Sequence, residues 1–295
     1  MSHIPVLLEE TVSVLGLKED SVVFDCTLGA GGHGAKILEI LGTNGVYVGI
    51  DADPSALTAV KLNGKARIHL INDNFANVGD IAHGLKLKPT AILADLGWRS
   101  EQFEAGDRGF SFQKDEPLLM TFGDPSTHVF TAHDVVNDWK EESLADIIYG
   151  YGEERFARRI AKAIVRAREE APIETSKQLA DIVSRAYPAV ARRGRIHPAT
   201  KTFQAIRITV NDEIGTLKKL LDDGFELLEN GGRIAIISFH SLEDRIVKRF
   251  FDEKTRNQLA LKLIKKPIVA GDTEREENPR SRSAKLRVIE KTINN

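Results

Sequence analysis

The chain has 295 residues, 28% charged and 42% apolar, with a formal net charge of −2. That profile fits a soluble globular protein with a sizeable core and excludes a uniformly basic surface, so nucleic-acid contact would need a local basic patch. The single cysteine, Cys26, excludes an internal disulfide framework and a cysteine-based zinc site.

No run approaches the ~18 apolar residues of a membrane helix. The start Met1-Ser2-His3-Ile4-Pro5 has no basic segment followed by an apolar one, so the expectation is a cytoplasmic protein with no signal peptide, no membrane partner and no metal ligand pattern.

In chain order, Val22–Asp25 reads as a short buried strand that runs into Gly29-Ala30-Gly31-Gly32-His33-Gly34. A helix is expected from Gly32 to Leu41, and a second strand over Val46–Asp51 that ends on an acid. Pro54 to Leu62 reads as a helix with proline in its first turn. Ile68–Ile71 and Ala91–Asp95 are strands three and four. These apolar runs do not alternate, as expected of parallel strands covered on both faces. The fold class is therefore α/β, with a Rossmann-like, mostly parallel sheet.

From about Phe103 to Thr200 no strand pattern is found. Glu154–Glu169 carries Phe156, Ile160, Ala163, Ile164 and Ala167 on one helical face. Its cations Arg155, Arg158, Arg159, Lys162 and Arg166 fall mostly on the other face and read as a solvated surface. Thr175-Ser176-Lys177-Gln178 is a capping box opening a helix that Pro188 ends. The expected organisation is one domain formed by 1–102 and 201–295, with 103–200 a helical insertion for substrate recognition. Val210–Glu229 resumes the α/β pattern as a long helix. Arg233–Phe239 is a buried strand, Ser241 a helix N-cap, and Ala260–Ile264 with Lys285–Ile289 an antiparallel end to the sheet.

The glycine loop matches G-x-G-x-x-G, which alone fits a nicotinamide dinucleotide or S-adenosylmethionine. Asp51, about 20 residues past the loop, stands where acids meet ribose hydroxyls. Asp25 and Asp95 end parallel strands, where ligands bind in open α/β sheets, although each could instead cap the loop it precedes. Phe75, after strand three, is a wall for an adenine ring or a packed core residue. Cys26 is expected to be packed and unreactive.

Several longer blocks resemble one family, the bacterial 16S ribosomal RNA (cytosine-N4)-methyltransferases of the RsmH or MraW type. They are His3–Glu10, Asp25–His33, Asp107–Phe112, His197–Ile208, Ile237–Arg245 and Asn278–Arg287, in the family's order. The resemblance implies a class I methyltransferase sheet interrupted by a helical substrate domain. It also implies S-adenosylmethionine as cofactor, and 16S ribosomal RNA in the small subunit as substrate and partner; a homodimer stays open. Carried over, the cofactor contacts fall on Gly31, Gly32, His33, Asp51, Phe75, Asp95 and Gln102, beside Asp25 and Gly29 of the loop itself. Asp95 is the candidate catalytic acceptor for the target amino group, with Trp98 or Phe110 as stacking partners for the base.

Two basic clusters flank the family blocks and are candidate RNA contacts: Arg192, Arg193 and Arg195 with His197 and Lys201, and Arg280, Arg282 and Lys285 with Arg287. The chain departs from the family after strand four, where it reads Asp95-Leu96-Gly97-Trp98-Arg99-Ser100, and at Leu119 and Thr121, where the family carries an acid and an arginine. Those departures keep two alternatives open: a cofactor-binding ribosome-assembly protein without catalysis, and a nicotinamide oxidoreductase.

Overall fold

The computed structural model describes residues 4–97, 107–193 and 196–292, leaving the side chains of Thr127 and Arg193 aside. The chain divides into two compact units, one formed by 1–99 and 214–295, the other by 100–213.

The first unit is built on a seven-stranded sheet. Its strands are β1 (Val22–Asp25), β2 (Val46–Asp51), β3 (Arg67–Asn72), β4 (Ala91–Asp95), β5 (Arg233–Ser238), β6 (Ala260–Lys262) and β7 (Lys285–Lys291), in the order β3-β2-β1-β4-β5-β7-β6. β1 to β5 are mutually parallel, and β7 runs antiparallel to both β5 and β6. This is the sheet implied by the family resemblance, with its antiparallel last strand. Helices α1 (Leu8–Leu15), α2 (Gly32–Ile40), α3 (Pro54–Ala59), α4 (Val78–Leu85), α10 (Glu213–Leu227), α11 (Ser241–Arg256) and α12 (Asp272–Glu277) accompany it. Two apolar clusters form its core. One gathers Phe24, Val48, Ile92, Leu220, Phe225 and Phe251; the other gathers Val23, Leu38, Tyr47, Leu93, Ile237 and Val288. Alternate residues of each central strand feed the two clusters, so these strands are apolar throughout.

The second unit is helical among its described residues: α5 (Ala132–Asp138), α6 (Glu141–Gly150), α7 (Ala157–Glu170), α8 (Ser176–Ala186) and α9 (Thr200–Val210). Its core gathers Leu118, Met120, Leu144, Ile148, Ile160, Ile164, Leu179 and Ile206. The capping box at Thr175 forms as its sequence predicts, with Thr175 and Gln178 bonding each other's backbone N–H.

Four expectations are corrected. The units divide at 99/100 and 213/214, not at 102/103 and 200/201. The reason is α9, whose Phe203, Ala205, Ile206 and Val210 bury in the helical core; the expected helix 210–229 begins only at Glu213. The N-cap of α11 is His240, whose ring nitrogen accepts from the Glu243 N–H while Glu243 returns the bond, and Ser241 is the first helical residue. The helix from Pro54 ends at Ala59 instead of Leu62, because Val60 is extended.

Candidate functional site

The strand order reverses between β1 and β4, the place where open α/β sheets bind ligands beyond the strand ends. Asp25 closes β1 and Asp95 closes β4. The glycine loop leaves β1 between them. Thr27 ties the two ends together: its hydroxyl accepts from the Asp95 N–H at 2.7 Å.

Three contacts hold the loop. Gly29 donates its N–H to Oδ2 of Asp51 at 2.8 Å, and Oδ1 of Asp51 accepts from the Asp53 N–H at 2.9 Å. Asp51 thus ties the loop to the turn that follows β2, with one carboxylate oxygen on each. Gly31 has φ +79°, and a Cβ there would sit 2.3 Å from Cγ2 of Val60. Gly32 faces Pro5 so closely that a Cβ would lie 2.1 Å from its Cγ. Both glycines are required by space, and Gly31 by conformation as well.

Asp25 is buried; its carboxylate accepts from the Tyr47 hydroxyl at 2.7 Å and the Thr27 N–H at 3.2 Å. Burial pushes its pKa up to about 6 against those hydrogen bonds. The next residue, Cys26, is also buried, and burial pushes its thiol far up, so it packs and does not react.

Asp95 is the most perturbed acid. Burial, then the charges of Asp25 and Glu243, push its pKa up to about 8. Its Oδ1 is enclosed and has no hydrogen-bond partner among the described residues, while Oδ2 lies 3.9 Å from Nδ1 of His33. A buried carboxyl oxygen left without a donor costs free energy unless a ligand supplies one. Nε2 of His33 lies 3.1 Å from the carbonyl oxygen of Val6. Phe75 opens a short helical turn after β3 and is half-buried against the sheet's core, so part of its ring does the packing job also expected of it. Gln102, Trp98 and Arg99 lie outside the described residues.

Periodicity pointed to none of the residues that brace this site. Tyr47 looks like an ordinary inward strand residue, yet its hydroxyl holds Asp25. Glu243 is buried at the start of α11 and accepts from the N–H groups of Phe239 and His240. The N-terminal strap that presses Pro5 on the loop is itself anchored from far along the chain. Asn278 donates to the Ile4 carbonyl at 3.0 Å, and Glu274 accepts from the Leu7 N–H at 2.8 Å.

The expected RNA contacts fare unevenly. Arg192 donates to the carbonyls of Tyr187 and Arg185, closing the end of α8. His197 stacks on Phe112 at 4.4 Å, and Lys201 donates to the Glu153 carbonyl at 2.9 Å. Lys285 and Arg287 both pair with Asp244, at 3.0 and 2.7 Å. Arg280 and Arg282 are exposed. Arg195 and the Arg193 side chain lie outside the described residues. Of the two positions that depart from the family, Thr121 is fully buried and Leu119 half-buried in the helical unit.

The sequence signature of the MraW methylase family matches residues 1–292. The chain belongs to the MraW methylase family. It is 45% identical to a ribosomal RNA small subunit methyltransferase H of Symbiobacterium thermophilum, covering 98% of this chain and 96% of that protein. It is 48% identical to the protein of the same description from Persephonella marina, covering 99% of each. Departures confined to a few positions within an MraW methylase of nearly full-length similarity leave the two alternative readings without support.

Proposed function

We propose that this chain methylates the N4 amino group of a cytidine in 16S ribosomal RNA, with S-adenosylmethionine as methyl donor. The observation that carries the site assignment is the buried, unpartnered Oδ1 of Asp95 beside the glycine loop. The family membership and the names of the relatives carry the substrate.

S-adenosylmethionine fits this end of the sheet: its adenosine and amino-acid ends offer the hydroxyls and ammonium that Asp51, Asp25 and Asp95 can accept from. When bound, it supplies an electrophilic methyl on a positively charged sulfur. The loop, whose path Asp51 fixes through the Gly29 N–H, would shape the space that orients it. The exocyclic amine is a weak nucleophile because its lone pair is delocalised into the ring. Alignment supplies much of the rate. Asp95 accepts a hydrogen bond from the amino group, which favours a tetrahedral nitrogen and meets the positive charge that develops as the N–C bond forms and the C–S bond breaks. The extra proton leaves the product nitrogen, and the Asp95 carboxylate is the acceptor assigned to it. The 100–213 unit is assigned to gripping the RNA, and an enzyme of ribosomal RNA works where ribosomes are made, in the cytoplasm.

Incubating the protein with small subunits that lack the modification and with methyl-labelled S-adenosylmethionine tests this reading. Label is expected in N4-methylcytidine after digestion. Binding of the cofactor without transfer would indicate an assembly protein, and binding of NAD in its place an oxidoreductase.

A further inference from the structure

We propose that the outward face of α7 is a docking surface for RNA phosphates, a role that rests on the RNA substrate proposed above and places it on residues outside the two expected clusters. Arg158, Arg159, Lys162 and Arg166 are all exposed, and Arg155 is exposed just before the helix. At 100° per residue the four helical cations fall in a stripe about 100° wide that runs about 12 Å along the axis. The opposite face, Ala157, Ile160, Ala161 and Ile164, is buried in the helical core.

A basic face is by itself ordinary for a solvated helix, and that was the expectation from sequence. The arrangement on α7 argues against it. Solvated helices intersperse acids at i,i+4 positions. Here Arg158 and Lys162, Lys162 and Arg166, and Arg159 and Lys162 are like-charged neighbours three or four residues apart, and they repel. The first turn holds no acid, and two arginines sit at the positive end of the helix dipole. Two acids, Glu169 and Glu170, stand at the negative end. Charge thus opposes the dipole in the first turn, where the one acid at hand, Glu154, lies ahead of the helix and accepts from the Phe156 N–H, while in the last turn Arg168 stands beside the two acids.

Among the described residues, none of the five cations forms an ion pair; Arg155 only lies over the Phe156 ring at 4.6 Å. Where the unit uses arginine for its own structure, it supplies an acceptor: Arg168 donates to the Val136 carbonyl and Arg207 pairs with Glu213. What the stripe lacks is a row of anions, which an RNA backbone provides. A membrane surface fits less well, because α7 exposes no large apolar side chain and its apolar face is spent on the core.

The test measures binding of unmodified small-subunit RNA across a salt titration for the wild type and for R158Q/R159Q/K162Q/R166Q. The variant is expected to bind at least tenfold more weakly near 0.1 M salt. The slope of log affinity against log salt is expected to fall by about 2 to 3, near 0.7 per lost single-strand phosphate contact. Affinity for S-adenosylmethionine and the thermal midpoint are expected to hold. A control, K61Q/K65Q/K86Q/K88Q, removes the same charge from exposed positions elsewhere and is expected to keep the wild-type slope. Should the fourfold variant unfold, K162Q and R166Q alone are each expected to lower the slope by about 0.7.

Unchanged affinity and slope in an enzyme that still methylates RNA overturns the proposal. An equal loss in the control overturns it too. So does loss of binding to phosphatidylserine vesicles with RNA affinity intact. A wild type that transfers no methyl, but whose RNA binding the variant loses, overturns the enzymatic reading and leaves the docking surface standing.

Discussion

Oδ2 of Asp95 stands 3.9 Å from Nδ1 of His33, whose other nitrogen, Nε2, lies 3.1 Å from the Val6 carbonyl. That carbonyl can only accept, so Nε2 carries a hydrogen and Nδ1 is the ring nitrogen turned toward Asp95. With the Asp95 pKa pushed up to about 8, the carboxyl is mostly protonated at pH 7 before ligand arrives.

A cationic ligand at this carboxyl favours its charged form and expels the proton. Binding of S-adenosylmethionine at pH 7 is therefore expected to release protons. Calorimetry in buffers of different ionisation enthalpy reads this directly. Asp95→Asn should abolish its share of the release and lower the rate of methyl transfer at least 100-fold. A binding enthalpy that is the same in every buffer would rule out a protonated Asp95.

The same group shapes stability without ligand. Its folded pKa, about 8, lies above the ordinary 3.8, so the folded state holds the proton that the unfolded chain gives up. The stabilising contribution is full below pH ~4 and is lost as pH rises toward 8, at up to about 1.4 kcal/mol per pH unit. Asp95→Asn should flatten that part of the profile in denaturant titrations between pH 5 and 8. An equally steep profile in the variant would assign the slope elsewhere, with Asp25, pushed up to about 6, next in line.

Gly32 lies in the first turn of α2, where alanine would ordinarily help the helix by about 0.5–1 kcal/mol. Here the new Cβ meets Pro5 at 2.1 Å, and overpacking of that kind costs about 1–3 kcal/mol. The clash wins. Gly32→Ala should lower the unfolding midpoint and weaken cofactor binding together, because the displaced strap also carries the carbonyl that faces His33. A stabilised variant would show that Pro5 yields freely.

Asp244 answers both Lys285 and Arg287 of β7, and these pairs hold its carboxyl below the ordinary range against the opposing effect of burial. Asp244→Ala leaves two cations unanswered and should cost about 2 kcal/mol in a denaturant titration. The contribution of the lowered pKa is present above pH ~4 and fades as acid protonates the carboxyl. RNA affinity that rises in the same variant would indicate that Lys285, once freed, reaches phosphate.

Much of this was legible in the chain itself. Fully buried parallel strands write themselves as unbroken apolar runs, so β1, β2 and β4 appear at their observed residues. Gly29–Gly34 and the acids closing β1 and β4 follow from local geometry. Helix α9 was missed because its 200–210 stretch mixes Thr, Gln and Arg with its apolar residues, and its packing depends on partners far off in sequence. His240 as a cap was missed because histidine serves there only when its ring turns back on the helix. The partners that occupy Arg192, His197 and Lys201 are backbone carbonyls and an aromatic face, which residue type does not reveal.

The strap over the glycine loop also sets an order of events during synthesis. Pro5 leaves the ribosome long before Glu274 and Asn278, yet its neighbours Ile4 and Leu7 are moored to Asn278 and Glu274. Until that late segment emerges, the loop lacks its brace. A nascent chain cut short before residue 274 would carry every glycine of the loop and still hold the methyl donor loosely, so translation itself delays the moment at which the enzyme becomes competent.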